Sequence, residues 1–315
     1  MNCFYTMEIE ATNFCNACCE FCFNKQSKYE KGFIDIEEFK IFLKKQREMS
    51  KMNLLNDMVG SNIFPKIVFG GAGEPLLHPK IFELIAEAKN EGFYVSLITN
   101  GCLLTLDCAK KLIKSGLDEL DVSLHTVNYD KYFNITQLRL EQFVEQMKSA
   151  LIYLTKNNKV VYLWRIKALH EKDFDDSFDE KLYNSFCDEC GIPKQHVLGP
   201  SIAWSRDGTV DSLCEKVHDD FFWCNKIAFT FNISWNGKVI LCCNDYNRNS
   251  VDLGNVFEKD FDFQEYFNTI KAILMKKNIP KICKDCKRWK DEELNIISKK
   301  FKIDLGELWE KLKLE

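Results

Sequence analysis

"KIVFGGAGEPLLHPKIFELIAEAKNEGFYVSLITNG", residues 66–101, holds two short apolar runs on either side of a segment with helical periodicity. "KIVFGG" reads as a strand. "HPKIFELIAEAKNEG" reads as a helix, with Pro79 at its first turn and Gly92 past its end. "FYVSLITNG" is the next strand. The same alternation extends in both directions. Upstream lie a strand in "TMEIEAT" and a helix in "DIEEFKIFLKKQREM", where Asp35 caps, Glu38 follows three residues on, and Ile36, Phe39 and Leu43 share a face. Downstream come a helix between Thr105 and Gly116, the strand "LDELDVSLH", a long helix around 137–156, the strand "KVVYLWRIKAL", a helix over 179–189 and a sixth strand in "QHVLGP".

Strict strand–helix alternation predicts an α/β fold with parallel strands and crossover helices, its apolar strands covered on both faces. Six units fall short of a closed eight-fold barrel, so the expectation is a partial (β/α)6 barrel. Beyond about residue 205 the pattern changes. "AFTFNISWNGKVILCCNDY" reads as a β-hairpin with Asn236-Gly237 at the turn, followed by a helix near 262–276, "CKDC" and a helical tail. The expected division is a barrel over 1–205, a small hairpin-plus-helix unit over 206–289 and a tail over 290–315. The acidic stretch "HEKDFDDSFDE" is expected to be a solvated loop.

Composition narrows the function. The chain of 315 residues has a net charge of -4 and 46% hydrophobic residues, and carries no basic stripe that would suggest a nucleic-acid partner. Its apolar runs are too short to span a bilayer, and the N-terminus has no basic-then-apolar export signal, so a soluble, cytoplasmic protein without a membrane partner is expected. Fifteen cysteines stand out. In a reducing cytosol, thiols clustered at ligand spacings mean metal or redox chemistry rather than a disulfide framework. Cys3, Cys102, Cys108 and Cys214 are read as small hydrophobes.

"CNACCEFC", Cys15 to Cys22, puts four thiols in eight positions directly after the first strand. Three sets are possible: Cys15 with Cys18, Cys19 with Cys22, or Cys15, Cys19 and Cys22 together. The pairs would suit zinc, although the adjacency of Cys18 and Cys19 makes a cramped tetrahedron. The trio would suit an iron–sulfur cluster with one open iron. In a parallel fold the loops after strands one to four gather at one edge of the sheet, bringing this motif together with "GAGEP", "TNG" and "VSLH".

Cys15-x3-Cys19-x2-Cys22 with aromatic Phe21, followed by Gly71-Ala72-Gly73-Glu74-Pro75 on the next strand, resembles the radical S-adenosylmethionine superfamily, over residues 5 to about 200. The resemblance implies a [4Fe–4S] cluster on Cys15, Cys19 and Cys22, its fourth iron chelated by S-adenosylmethionine, and reductive cleavage to a 5′-deoxyadenosyl radical. It also implies a flavodoxin- or ferredoxin-type electron donor. Gly71, Ala72, Gly73 and Glu74 would hold the methionine end of the cofactor, with backbone approach permitted by the glycines. Asn100 and Ser123 fall where the family contacts ribose and carboxylate. Arg165 is either a bidentate partner of the carboxylate or a surface residue. Cys18 is the spare thiol, expected to pack away from the iron.

Cys224, Cys242, Cys283 and Cys286 have a spacing that resembles the auxiliary-cluster domain called Twitch, a shortened SPASM extension, and imply a second [4Fe–4S] cluster with no open iron. A zinc ribbon on the same thiols is the alternative. Lys281, Lys284, Lys287 and Arg288 would offset cluster charge. Cys187 and Cys190, in "CDEC", lie at a helix end on the far edge of the sheet and read as structural. Cys243 follows ligand Cys242, and adjacent strand residues face opposite ways, so its thiol is a candidate hydrogen donor to a substrate radical.

The resulting expectation is a radical enzyme acting on a small-molecule substrate, sugar- or aminocyclitol-like, or on a peptide, with epimerisation by Cys243 preferred. Dehydrogenation with the auxiliary cluster as electron acceptor is the alternative. A non-catalytic metal-binding or partner protein is the reading from another class. The few residues ahead of the first strand favour a small molecule over a leader-bearing peptide.

Overall fold

The computed structural model describes residues 3–22, 24, 29–51, 63–167, 177–202, 227, 230–243, 245, 250–274 and 279–284. Six strands lie side by side in chain order: β1 (Cys3–Ile9), β2 (Ile63–Phe69), β3 (Tyr94–Thr99), β4 (Glu119–Val122), β5 (Val160–Lys167) and β6 (Val197–Ile202). Each neighbouring pair is parallel. The crossovers carry α1 (Ile36–Lys51), α2 (Ile81–Asn90), α3 (Leu106–Lys114), α4 (Tyr129–Thr136), α5 (Val144–Lys156) and α6 (Ser177–Cys190). The sheet is the open α/β arrangement expected of a partial barrel.

Local chemistry sets the helix ends. Asp35 Oδ1 accepts from the backbone N–H groups of Glu37 and Glu38, and Thr105 Oγ1 accepts from Cys108 N, satisfying first-turn donors. Gly92 ends α2 at φ 87°, a conformation glycine adopts without steric cost. The long helix expected around 137–156 starts only at Val144, and a separate helix, α4, lies ahead of the expected range. Asn128 caps α4 through Lys131 N, and Gln137, at φ 60°, stops it in the left-handed region before α5 begins at Val144.

The two faces of the sheet differ. Ile9, Ile67, Phe69, Val95, Leu97, Leu120, Val122, Val161 and Leu163 are buried in one core with Leu84, Leu112, Met147, Leu151 and Leu154 of the helices. On the other face Lys66 pairs with Glu119, and Asp121 accepts from Ser96 Oγ (2.8 Å) and Trp164 Nε1 (2.9 Å). Strands apolar on both faces were expected. Those observed alternate, because among the described residues one face meets the crossover helices and the other carries the polar side chains.

The hairpin extends this same sheet. β7 (Thr230–Ile233) runs parallel to β1, with Thr6 opposite Thr230 and Ile9 opposite Ile233, and β8 (Val239–Ile240) is antiparallel on its outer side. Gly237, at φ 82°, makes the turn. α7 (Phe263–Leu274) follows, with Tyr266 against Phe231 (ring centroids 4.7 Å apart), and then α8 (Lys281–Lys284). Among the described residues no helix is long and apolar enough to cross a membrane.

Candidate active site at the strand-end loops

The loop after β1 is built to hold its cysteines. Thr12 Oγ1 donates to Gly32 O (2.6 Å), while Asn13 donates to Glu30 O (2.8 Å) and accepts from Gly32 N (2.9 Å), tying the loop to the chain that returns ahead of α1. Farther along, Cys18 N donates to Thr136 O and Glu20 N to Ile135 O, so the end of α4 anchors the motif. Cys22 N donates to Cys19 O (3.0 Å), and Cys15 Sγ accepts from Ala17 N (3.4 Å). Burial, then the proximity of Glu74 and Cys22, pushes the Cys15 thiol up to about 11. Burial, then Cys22, Cys15 and Cys18, pushes Cys19 up to about 12.

Cys15, Cys19 and Cys22 are therefore neighbours in a partly desolvated loop, as thiols that metal binding must deprotonate. Among the described residues no three Cys, His, Asp or Glu side chains close on one point as ligands of a single ion do. A cubane needs no such point, because each thiolate takes a different iron. The donor set fits a three-thiolate cluster.

The "GAGEP" loop packs directly on this motif. Glu74 N donates to Phe14 O (2.8 Å) and Ala72 N to Glu10 Oε1 (3.1 Å). A side chain at Gly73 would collide with the carbonyl oxygens of Thr12 and Phe14, and Gly71 sits at φ 95°. Glu74 is buried, and its carboxylate accepts from Leu76 N (3.0 Å), Thr99 Oγ1 (2.8 Å) and Asn100 N (2.8 Å). Burial pushes it up to about 7 against these three donors. Its side chain thus fastens the second loop to the third.

Asn100 continues the linkage. It donates to Asn16 Oδ1 (2.7 Å), accepts from Cys102 N (2.9 Å), and lies close enough to Cys15 to hydrogen-bond the thiol. Ser123 N donates to Thr99 O (2.8 Å), and the Ser123 side chain is half-buried. Phe21 meets His125 edge to face, with centroids 5.4 Å apart. Arg165 is buried, its guanidinium 4.4 Å from the Tyr183 ring centre, which removes the surface alternative.

Sequence reasoning passed over Glu10 and His125. Glu10 follows β1, is buried, and its second oxygen accepts from Trp235 N (3.3 Å) in the hairpin turn. An acidic residue on the last position before a cysteine loop was the available signal. Cys108 packs in the core as expected, and Cys187 and Cys190 are buried at the end of α6, where Cys190 O accepts from Thr155 Oγ1 (2.9 Å).

Of the second cysteine set, Cys242 and Cys283 are buried, while Cys224 and Cys286 lie outside the described residues, as do Lys287, Arg288 and most of the acidic stretch. Cys243 is half-buried. The two adjacent cysteines do not lie on a strand: β8 ends at Ile240, and Asp245 N closes a turn onto Cys242 O (2.9 Å). Strand alternation therefore does not explain their difference in burial.

Residues 9–179 match the family model described as Radical SAM superfamily, and residues 224–287 match SPASM, an iron–sulfur cluster-binding domain. The chain is 36% identical over 110 residues to the tungsten-containing aldehyde ferredoxin oxidoreductase cofactor-modifying protein of Pyrococcus furiosus, covering 35% of this chain and 28% of that protein. It is 36% identical over 149 residues to a GTP 3′,8-cyclase of Chlorobaculum tepidum, covering 46% of this chain and 39% of that protein. The chain thus matches well under half the length of either relative. The fold is similar to that of SuiB of Streptococcus suis solved with the precursor peptide SuiA, with a TM-score of 0.57 at 14% identity, covering 94% of this chain and 73% of that one.

Proposed function

The chain belongs to the radical SAM superfamily and carries a SPASM iron–sulfur domain, and from that premise we propose that it abstracts hydrogen from a bound substrate and inverts a carbon centre. When bound, S-adenosylmethionine and the [4Fe–4S] clusters would supply reductive cleavage and hydrogen abstraction, the part of the chemistry no side chain can carry. Cys15, Cys19 and Cys22 would hold the first cluster, and Cys224, Cys242, Cys283 and Cys286 the second. Gly71, Ala72 and Gly73 would receive the methionine end of the cofactor, Asn100 and Ser123 its ribose and carboxylate, and Arg165 the carboxylate. Glu74 would act by holding these loops in register. The observation that carries the reading is the convergence of three loops on the thiols: Glu74 joined to Thr99 and Asn100, and Asn100 to Asn16 between the ligands.

Within that reading Cys243 is the hydrogen donor. It is half-buried beside buried Cys242, in a turn after the hairpin that β7 docks against β1. Its S–H bond would break as a C–H bond forms on the second face of the substrate, and one electron and one proton would restore the thiol. The electron would come from a flavodoxin- or ferredoxin-type donor. The division of the chain at 205 and 289 and a cytoplasmic setting belong to the same proposal. Cys243→Ala should still release 5′-deoxyadenosine but lose the inverted product, and wild-type product formed in deuterated water should gain one deuterium. An oxidised product without solvent deuterium, unaffected by Cys243→Ala, would replace epimerisation by dehydrogenation.

A further inference from the structure

The polar face of the sheet carries an arrangement that neither the cysteines nor the cofactor loops use. Trp164 lies on β5, an interior strand, yet is 42% exposed. Its neighbour Leu163 points into the core, so the indole stands on the face the helices leave open. Nε1 donates to Asp121 Oδ1 (2.9 Å), and Asp121 Oδ2 accepts from Ser96 Oγ (2.8 Å). The indole is thus fixed, its single polar atom is used, and what it presents is its ring face. A carboxylate on the N–H makes that ring more electron-rich, which favours C–H or cationic partners over a second π system.

His125 stands beside it. The register pairs Val122 with Leu163, so Ser123 and Trp164 come next; β4 ends at Val122, Leu124 N turns back onto Val122 O (2.9 Å), and that turn carries His125 to the backbone of Trp164. His125 is 5% exposed and its ring bonds to the backbone of Trp164, while Nδ1 has no hydrogen-bond partner among the described residues. Burial pushes the imidazole down to about 4, so it is neutral near pH 7. With the other nitrogen donating to the backbone, Nδ1 is a bare acceptor. Leaving such an atom buried and unpaired is costly, and a ligand N–H or O–H would offset that cost.

We propose that Trp164 and His125 form a substrate subsite for a polyhydroxylated ring, a cyclic polyol or amino sugar, whose C–H face lies on the indole and whose hydroxyl or amino group donates to His125 Nδ1. Ser123, next in register to Trp164 and bonded through its N–H to Thr99 O (2.8 Å), puts this subsite beside a residue proposed to meet the cofactor; the assignment as substrate site rests on the radical-enzyme reading. Phe21 against His125 couples the subsite to the cysteine motif.

The test is saturation-transfer NMR on the reconstituted full chain, with glucosamine and methyl α-glucopyranoside as probes and guanosine and an acetylated decapeptide as controls. The expected result is transfer to the ring C–H protons of the sugars. Trp164→Ala should reduce it about five-fold or more and His125→Phe about three-fold, with partial retention in Trp164→Phe. S-adenosylmethionine affinity should stay within about two-fold in each variant. No transfer to either sugar, equal transfer in the variants, or preference for guanosine or the peptide overturns the proposal. So does a parallel loss of S-adenosylmethionine affinity, which would give both residues to the cofactor. Absence of 5′-deoxyadenosine on reduction would count against the radical reading alone, because sugar binding is measured without turnover.

Discussion

A buried imidazole held neutral has a measurable consequence for stability. His125 titrates at its ordinary 6.5 in the unfolded chain and near 4 in the fold, because burial disfavours the charged form. The unfolded state therefore binds the proton first. The contribution is complete above pH 6.5 and is lost as pH falls toward 4, by up to about 3 kcal/mol. Urea unfolding of the metal-free protein across that interval should show wild type losing stability more steeply than His125→Phe. Parallel pH profiles would mean that the ring is solvated. At this scale the sequence spoke through residue type and spacing. It gave the thiols and the glycines, whose chemistry is local. It did not give Glu10 or His125, since the burial of a polar side chain depends on segments far away in the chain.

At the scale of elements, the loops work as a set, which changes what a glycine substitution should do. The family resemblance makes Gly73 a point of cofactor approach, so a larger residue should weaken S-adenosylmethionine binding and spare the iron. In the fold Gly73 lies against the carbonyls of Thr12 and Phe14, immediately before Cys15. A side chain there displaces the cysteine loop first. Gly73→Val should therefore lose the first cluster, about four iron per chain, together with cofactor binding. Iron analysis after anaerobic reconstitution checks this, and a full iron content with weakened cofactor binding would return Gly73 to the simpler role. The strand–helix order was legible because apolar periodicity is a local signal. The presence of α4 and the late start of α5 were not, because the chain between them turns on one residue, Gln137, in the left-handed region.

In the whole molecule, the auxiliary hairpin is continuous with the barrel sheet through β1 and β7. Glu10 spans the junction, with one oxygen on Ala72 N of the cofactor loop and the other on Trp235 N of the hairpin turn. Trp235 in turn packs over Gly32, where any side chain would strike its ring. Glu10→Ala should speed amide hydrogen exchange at Ala72 and Trp235 together, roughly ten-fold or more for the loss of a buried charged acceptor, while Leu97 in the core is unchanged. Faster exchange at one amide only would mean that the two regions are not coupled through this carboxylate. The hairpin itself was readable from Asn236-Gly237, but its partner was not, since pairing to a strand more than two hundred residues earlier leaves no local trace.

The central claim is that Cys15, Cys19 and Cys22 hold the cluster at which S-adenosylmethionine is cleaved, and one assay addresses it directly. The reconstituted full chain is reduced with dithionite under anaerobic conditions in the presence of S-adenosylmethionine, and released 5′-deoxyadenosine is quantified. Wild type and Cys187→Ala should both form it, whereas Cys15→Ala, Cys19→Ala and Cys22→Ala should each abolish it. A wild-type protein with its full iron that forms none, or undiminished formation by any of the three variants, would contradict the account.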